Sequence, residues 1–259
     1  MRPIGLAALT VLELPHEAQV AVAAQYGYSH VGLRLVPVAG QAFGHALELP
    51  ALERRLADTG VRVLDVEVFR LDAQVDVAAF EPVLAAAARL KATDLLVHGA
   101  DADEARQIDS FGRFCDLAAR YGLAASLEPM PWVAVSTLEK ALRVIEGAGR
   151  ANGALLVDAI HFFRAGDRPE DLRRVPPGRL RYAQLCDAPA ECPTDLPEIM
   201  RQARADRLAP GEGGLDLLGL LAALPACIPL SLEVPLARPL PAVTRAGFVR
   251  EAARRLLDG

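Results

Sequence analysis

A chain of 259 residues with 52% hydrophobic content can fill a sizeable core and suits one barrel-sized domain spanning residues 1–259. Its net charge of -5 argues against a nucleic-acid partner, since phosphate binding needs a basic face, and no apolar run is long enough to make a membrane partner. The start, Met1-Arg2-Pro3-Ile4, lacks a signal-peptide layout, and Cys115, Cys186, Cys192 and Cys227 show no Cys-x-x-Cys spacing, so buried thiols in a reducing cytoplasm are expected rather than a zinc knuckle or disulfide framework.

Short apolar runs alternate with longer amphipathic ones. A strand is predicted at 4–9, a helix at 17–26, a strand at 31–35 and a helix at 49–58. The β-branched stretch 61–69 reads as a strand and the Ala- and Leu-rich stretch 80–90 as a helix. Strands follow at 94–97, 124–127, 154–157, 180–185 and 228–232, with helices at 105–121, 137–146, 215–224 and 246–257. A looser stretch at 169–174 leads into the seventh strand. Eight strand–helix units without a composition break predict an α/β fold, a (β/α)8 TIM barrel. An open dinucleotide-binding sheet is disfavoured, because the first strand leads into Thr10-Val11-Leu12-Glu13 and no glycine-rich phosphate turn.

In such a barrel the strand C-termini form the active-site rim. Glu128, Asp158, Gln184 and Glu233 fall on predicted strands five to eight, so the four would converge on one rim. Three carboxylates and an amide crowded together repel one another unless a cation sits between them. The expectation is therefore one divalent metal ion; hard oxygen donors suit Mn2+, Mg2+ or Co2+, and Zn2+ with a more borderline preference. The plain alternative is that each carboxylate caps the following helix or pairs with an arginine. Arg34 and Glu67 end predicted strands two and three, where they would contact substrate hydroxyls or a carboxylate. His98 ends strand four, Trp132 is either a wall for a sugar ring or a core residue, and His30 lies on the opposite rim as a structural histidine.

Four phrases, Ser126-Leu127-Glu128-Pro129-Met130-Pro131-Trp132, Val157-Asp158-Ala159-Ile160-His161-Phe162-Phe163-Arg164, Tyr182-Ala183-Gln184-Leu185-Cys186-Asp187-Ala188 and Arg207-Leu208-Ala209-Pro210-Gly211-Glu212-Gly213, resemble the sugar phosphate isomerase/epimerase group of the xylose isomerase-like TIM-barrel superfamily. The resemblance implies that Glu128, Asp158, Gln184 and Glu233 bind the metal, with Gln184 standing where many members carry His. It implies that His161 faces substrate as a hydrogen-bond donor or proton shuttle. Arg164 would hold a substrate anion or steady Asp187, and Asp187 would orient a neighbour rather than bind metal. Arg207 and Glu212 flank the Pro210-Gly211-Glu212-Gly213 loop as candidate substrate contacts.

The function so implied is a metal-dependent isomerase or epimerase of a small sugar or polyol-like carbonyl compound. Glu128 and Glu233 would remove and return a proton through an enediolate. A dehydratase of the dehydroshikimate or inosose type is the alternative, weakened because Pro129-Met130-Pro131 replaces the His that dehydroshikimate enzymes often carry after the strand-five Glu. A non-catalytic sugar-binding barrel is the third reading. The zinc endonuclease branch of the superfamily is disfavoured by the five histidines and the acidic chain. Barrels of this group often associate, so a homo-oligomer is compatible with the resemblance, with no interface to be read from the sequence.

Overall fold

A computed structural model describes residues 2–38 and 44–258. Eight parallel strands close into a barrel in chain order: β1 (Ile4–Leu6), β2 (His30–Arg34), β3 (Arg62–Leu71), β4 (Asp94–Gly99), β5 (Ala124–Glu128), β6 (Gly153–Asp158), β7 (Leu180–Leu185) and β8 (Leu230–Leu232), with β8 pairing back onto β1. Nine helices lie outside among the described residues: α1 (His16–Gln25), α2 (Leu49–Thr59), α3 (Glu81–Arg89), α4 (Glu104–Ala119), α5 (Leu138–Ala148), α6 (Ala159–Arg164), α7 (Leu196–Ala205), α8 (Leu217–Ala223) and α9 (Ala242–Asp258). The expected (β/α)8 barrel is present. None of these helices is long and apolar enough to cross a membrane.

The helices start and stop where local chemistry allows. Asp103, Thr137, Asp158, Asp195 and Asp216 each accept a backbone N–H at the first turn of α4, α5, α6, α7 and α8. Gly60 and Gly149, with φ of 71° and 63°, end α2 and α5 in the left-handed region. On α5, Leu138, Ala141, Leu142, Ile145 and Ala148 form one buried stripe, the spacing by which a helix lies against a sheet.

Two expectations differ in detail. The first strand ends at Leu6, and a 3-10 turn over Ala8–Val11 replaces its predicted end. There Thr10 is buried; its hydroxyl donates to the Leu232 carbonyl and accepts the Val234 N–H, at 2.7 and 2.8 Å. This stitch fixes the rim on either side of Glu233. Helix α7, which the apolar spacing did not suggest, fills the long connection after β7, and α6 follows β6 directly.

Alternate strand residues point inward. Leu64, Leu96, Leu156 and Tyr182 form, with Val68, a small cluster separate from the main core. Leu96, Leu156 and Tyr182 each precede a rim residue by two positions, so this layer is the floor beneath His98, Asp158 and Gln184. The floor is less aliphatic than a barrel centre usually is. The Tyr182 hydroxyl donates to Asp65 at 3.0 Å, and Asp94 accepts from Ser126 and Arg181 at 2.9 and 2.6 Å. Burial first, then the Glu67 charge, holds the Asp65 carboxyl well above the ordinary range, and the Tyr182 hydrogen bond acts against that rise.

Candidate active site

The rim gathers Arg34, Glu67, His98, Glu128, Asp158, His161, Gln184 and Glu233, all buried or nearly so. Parallel pairing sets their heights: Arg34 lies beside Glu67, His98 beside Glu128, and Asp158 beside Gln184. Donor atoms of Glu128, Asp158 and His161 lie within 4.8 Å of one another. The Gln184 amide donates to Glu233 at 3.1 Å. All four residues expected to surround a cation thus reach one end of the barrel.

A buried guanidinium organises them. Arg207 Nη1 donates to Asp158 at 2.6 Å, and Nη2 lies 2.9 Å from Glu233. The same side chain reaches the Ala203 and Glu233 carbonyls and the Cys186 sulfur. It is 2% exposed and its contacts are internal, so the structure makes Arg207 a counter-charge to Asp158 and Glu233 in place of the substrate contact expected of it. Asp158 has a second duty, capping α6 through the His161 N–H at 3.2 Å. Both plain roles foreseen for a rim carboxylate, a cap and an arginine pair, therefore fall on Asp158.

Three further expectations change. Arg164 touches neither Asp187 nor the rim; its Nη2 donates to the Pro189 carbonyl and Gln202 at 2.7 and 3.2 Å, tying α6 to α7. Asp187 does not orient a rim residue. Its buried carboxylate accepts backbone N–H groups of Ala188, Gly211, Gly213 and Leu215 and so shapes the 210–215 loop. A Cβ on Gly213 would come within 2.4 Å of that carboxylate and of the Ala188 carbonyl, which is why glycine stands there. Glu212, at the exposed tip of this loop, joins none of the rim contacts. His30 bonds Ser29 at the start of β2, away from the rim.

The remaining groups keep open faces. Arg34 holds Glu67 at 2.7 Å, leaving one Glu67 oxygen without a partner. His98 Nε2 lies 2.7 Å from Glu128 Oε2, while Glu128 Oε1 and Gln184 Oε1 are buried without a partner. His161 stands 3.9 Å from Glu128 Oε1, its ring meeting half-buried Trp132 edge-on at 4.9 Å.

Charge decides what such a cluster can hold. Burial first, then the Asp158 charge, pushes the Glu128 carboxyl well above the usual range. Glu233 is also held well above it by burial, with Glu67 adding and Arg207 opposing. For Asp158 burial acts upward too, but Arg207 and its other partners together hold it below its ordinary value. His98 and His161 are pushed down to about 3, by burial first, and are neutral. Nε2–H of His98 therefore donates to Glu128 when that carboxylate is ionised. Four carboxylates (Glu67, Glu128, Asp158 and Glu233) face two guanidinium groups (Arg34 and Arg207). Ionised, the cluster lacks two positive charges, and the partnerless oxygens of Glu128 and Gln184 lie beside that deficit. The donor set therefore fits one divalent ion, which Glu128 and Asp158 would hold with Gln184 and Glu233 completing the set.

Protons can fill the same deficit, which gives a testable pH dependence. Raised carboxyls bind protons in the metal-free protein, and metal binding must release them. Mn2+ affinity should rise with pH above the ordinary carboxylate range, by about tenfold per unit for each proton displaced. Calorimetric titrations at pH 5.5, 6.5 and 7.5 in two buffers of different ionisation enthalpy would measure both the slope and the protons released. A flat profile would place the ion elsewhere.

Comparison with known proteins agrees with this architecture. The model of the xylose isomerase-like TIM barrel family matches residues 20–256, and the chain belongs to that family. A 3-dehydroshikimate dehydratase of Pseudomonas aeruginosa is 32% identical over 130 residues, 49% of this chain and 20% of that protein. An inosose isomerase of Bacillus subtilis is 29% identical over 119 residues, 45% of this chain and 41% of that protein. The chain thus aligns with less than half of either enzyme's length. Among solved structures, the IOLI protein with a bound zinc atom superposes with a TM-score of 0.80 at 19% identity, over 100% of this chain and 97% of that one; a likeness at that identity establishes the fold.

Proposed function

We propose that the chain is a divalent-metal-dependent isomerase or epimerase of a small sugar or polyol-like carbonyl compound, working by proton transfer next to the carbonyl. The observation that carries this reading is the missing pair of positive charges beside the partnerless oxygens of Glu128 and Gln184. The resident ion would be Mn2+, Mg2+, Co2+ or Zn2+, in keeping with oxygen ligands. When bound, such an ion supplies Lewis-acid polarisation of adjacent hydroxyl and carbonyl oxygens.

The side chains divide the remaining work. Glu128 takes the substrate proton; His98 steadies its Oε2, and its Oε1 has no protein partner. Burial and the Asp158 charge raise its carboxyl in the metal-free protein, the direction that strengthens a carboxylate as a base. Glu233 returns a proton on the opposite side; Gln184 and Arg207 engage its two oxygens and fix its orientation. His161, neutral and beside Glu128, donates an N–H to the oxygen that gains charge as the enediolate forms.

Loss of a β-hydroxyl from the same enediolate would make the protein a dehydratase, and the match to the Pseudomonas enzyme favours keeping that reading second. A test covers both. The protein with each metal is incubated in D2O with keto sugars, inososes and dehydroshikimate, and loss of C–H signal is followed by NMR. Exchange that vanishes with a chelator and returns with Mn2+ supports the proposal. A conjugated, ultraviolet-absorbing product assigns dehydration. A chain that retains no metal and exchanges nothing across the panel would be a sugar-binding barrel instead.

A further inference from the structure

Arg204 lies in the last turn of α7, exposed to solvent. Its neighbour Arg201 is committed to Glu198 and Asp206, whereas Arg204 makes no ion pair or side-chain hydrogen bond among the described residues. It does have a fixed seat. Its guanidinium carbon lies 5.7 Å from the centre of the Trp132 ring, a cation–π contact, and the other edge of that contact chain is His161, 4.9 Å from Trp132. Arg204, Trp132 and His161 therefore lead in file from the surface to Glu128.

Charge makes this file directional. Its seat on Trp132, whose ring in turn meets His161, sets the Arg204 charge at the outer end of a row of side chains that runs into the site. Arg70, at the His98 end of β3, is also exposed and has only a 4.0 Å approach to Asp72. Two arginines thus stand at the rim outside a carboxylate cluster whose charge Arg34, Arg207 and one divalent ion would balance. A neutral polyol gains a single hydrogen bond from an uncommitted guanidinium, whereas an anion gains a charge-assisted, two-pronged one.

We propose that the substrate carries a carboxylate, received by Arg204 at the mouth while Trp132 flanks the adjoining carbon skeleton. The proposal rests on the metal-centred reading above and narrows it to an acidic polyhydroxy carbonyl compound. A carboxylate is assigned because a single planar fork pairs both of its oxygens; a phosphate, which the same fork also grips, would be left with a third oxygen and a second charge that have no seated partner beside Arg204.

Quinate and myo-inositol, a carboxylated and a neutral cyclic polyol, provide probes that require no turnover. Both are titrated calorimetrically into the Mn2+-loaded protein, beside glucitol 6-phosphate as the phosphate arm. Quinate should bind about tenfold tighter than myo-inositol, the effect expected of one partly exposed charge-assisted hydrogen bond. Arg204→Gln should reduce that ratio to within about threefold, and Arg204→Lys should restore part of it. Added salt should weaken quinate alone. Equal binding by the wild type, absence of binding by both polyols, or a preference surviving Arg204→Gln overturns the proposal. Tighter binding of the phosphate arm overturns the carboxylate assignment. The D2O exchange assay decides the metal-centred reading separately, so either can fail alone.

Discussion

Glu128→Gln is expected to slow metal-dependent C–H exchange by about 10²- to 10⁴-fold, the range supplied by a positioned general base. The amide keeps the shape and can still meet His98 Nε2, so circular dichroism should be unchanged. Stability gives an independent check. Burial and Asp158 raise the Glu128 carboxyl in the folded state; an acid raised on folding favours the native state least once pH exceeds its folded value. Metal-free wild type should therefore lose stability as pH rises above the ordinary carboxylate range, and the variant should lose less. Mn2+ affinity should fall as well, because the charge deficit drops from two to one. Measuring exchange at saturating Mn2+ separates the roles: full recovery would make Glu128 a ligand only, and persistence of the loss makes it the base. Unchanged exchange throughout would remove Glu128 from the mechanism.

The rim was readable in the sequence for a specific reason. Parallel strands buried on both faces are nearly continuous apolar runs, so a polar residue at the end of one stands out. Arg34, His98, Glu128, Asp158, Gln184 and Glu233 are such exceptions at or beside a strand end; Glu67 lies inside β3, which runs on to Leu71, yet pairs with Arg34 at the same rim. Long side chains from loops carried no such signal. Nothing in Arg207-Leu208-Ala209-Pro210 tells that the Arg207 guanidinium folds back under the rim, nor that Asp187 collects four loop N–H groups. Helix α7 escaped notice because Pro197 and the Cys192-Pro193-Thr194 stretch look like loop; yet Pro197 sits in the first turn, where a missing N–H costs nothing. That helix carries Arg204, so the mouth of the site became visible only with the fold. Tyr182 and Asp65 were likewise unreadable as a pair, since a buried hydrogen bond between β7 and β3 leaves no local trace.

Arg207→Met tests the largest revision to the sequence-based picture. The side chain bridges Asp158 and Glu233 while fully buried, and removing one member of a buried pair costs about 3–5 kcal/mol because the other charges stay behind unmatched. For a chain of this size that amounts to a fall of roughly 10 °C in Tm in the metal-free protein. Added Mn2+ should recover part of the loss, since binding to the folded form alone stabilises it by mass action. Arg207→Lys should fall between, keeping a charge but not the fork that spans two carboxylates and the Ala203 carbonyl. The direct substrate contact implied by family resemblance predicts the opposite pattern: KM for the substrate would rise in Arg207→Met while Tm held steady. Paired thermal scans and Mn2+ titrations of the two variants distinguish these outcomes before any substrate is known, because an internal counter-charge must show itself in the metal-free protein.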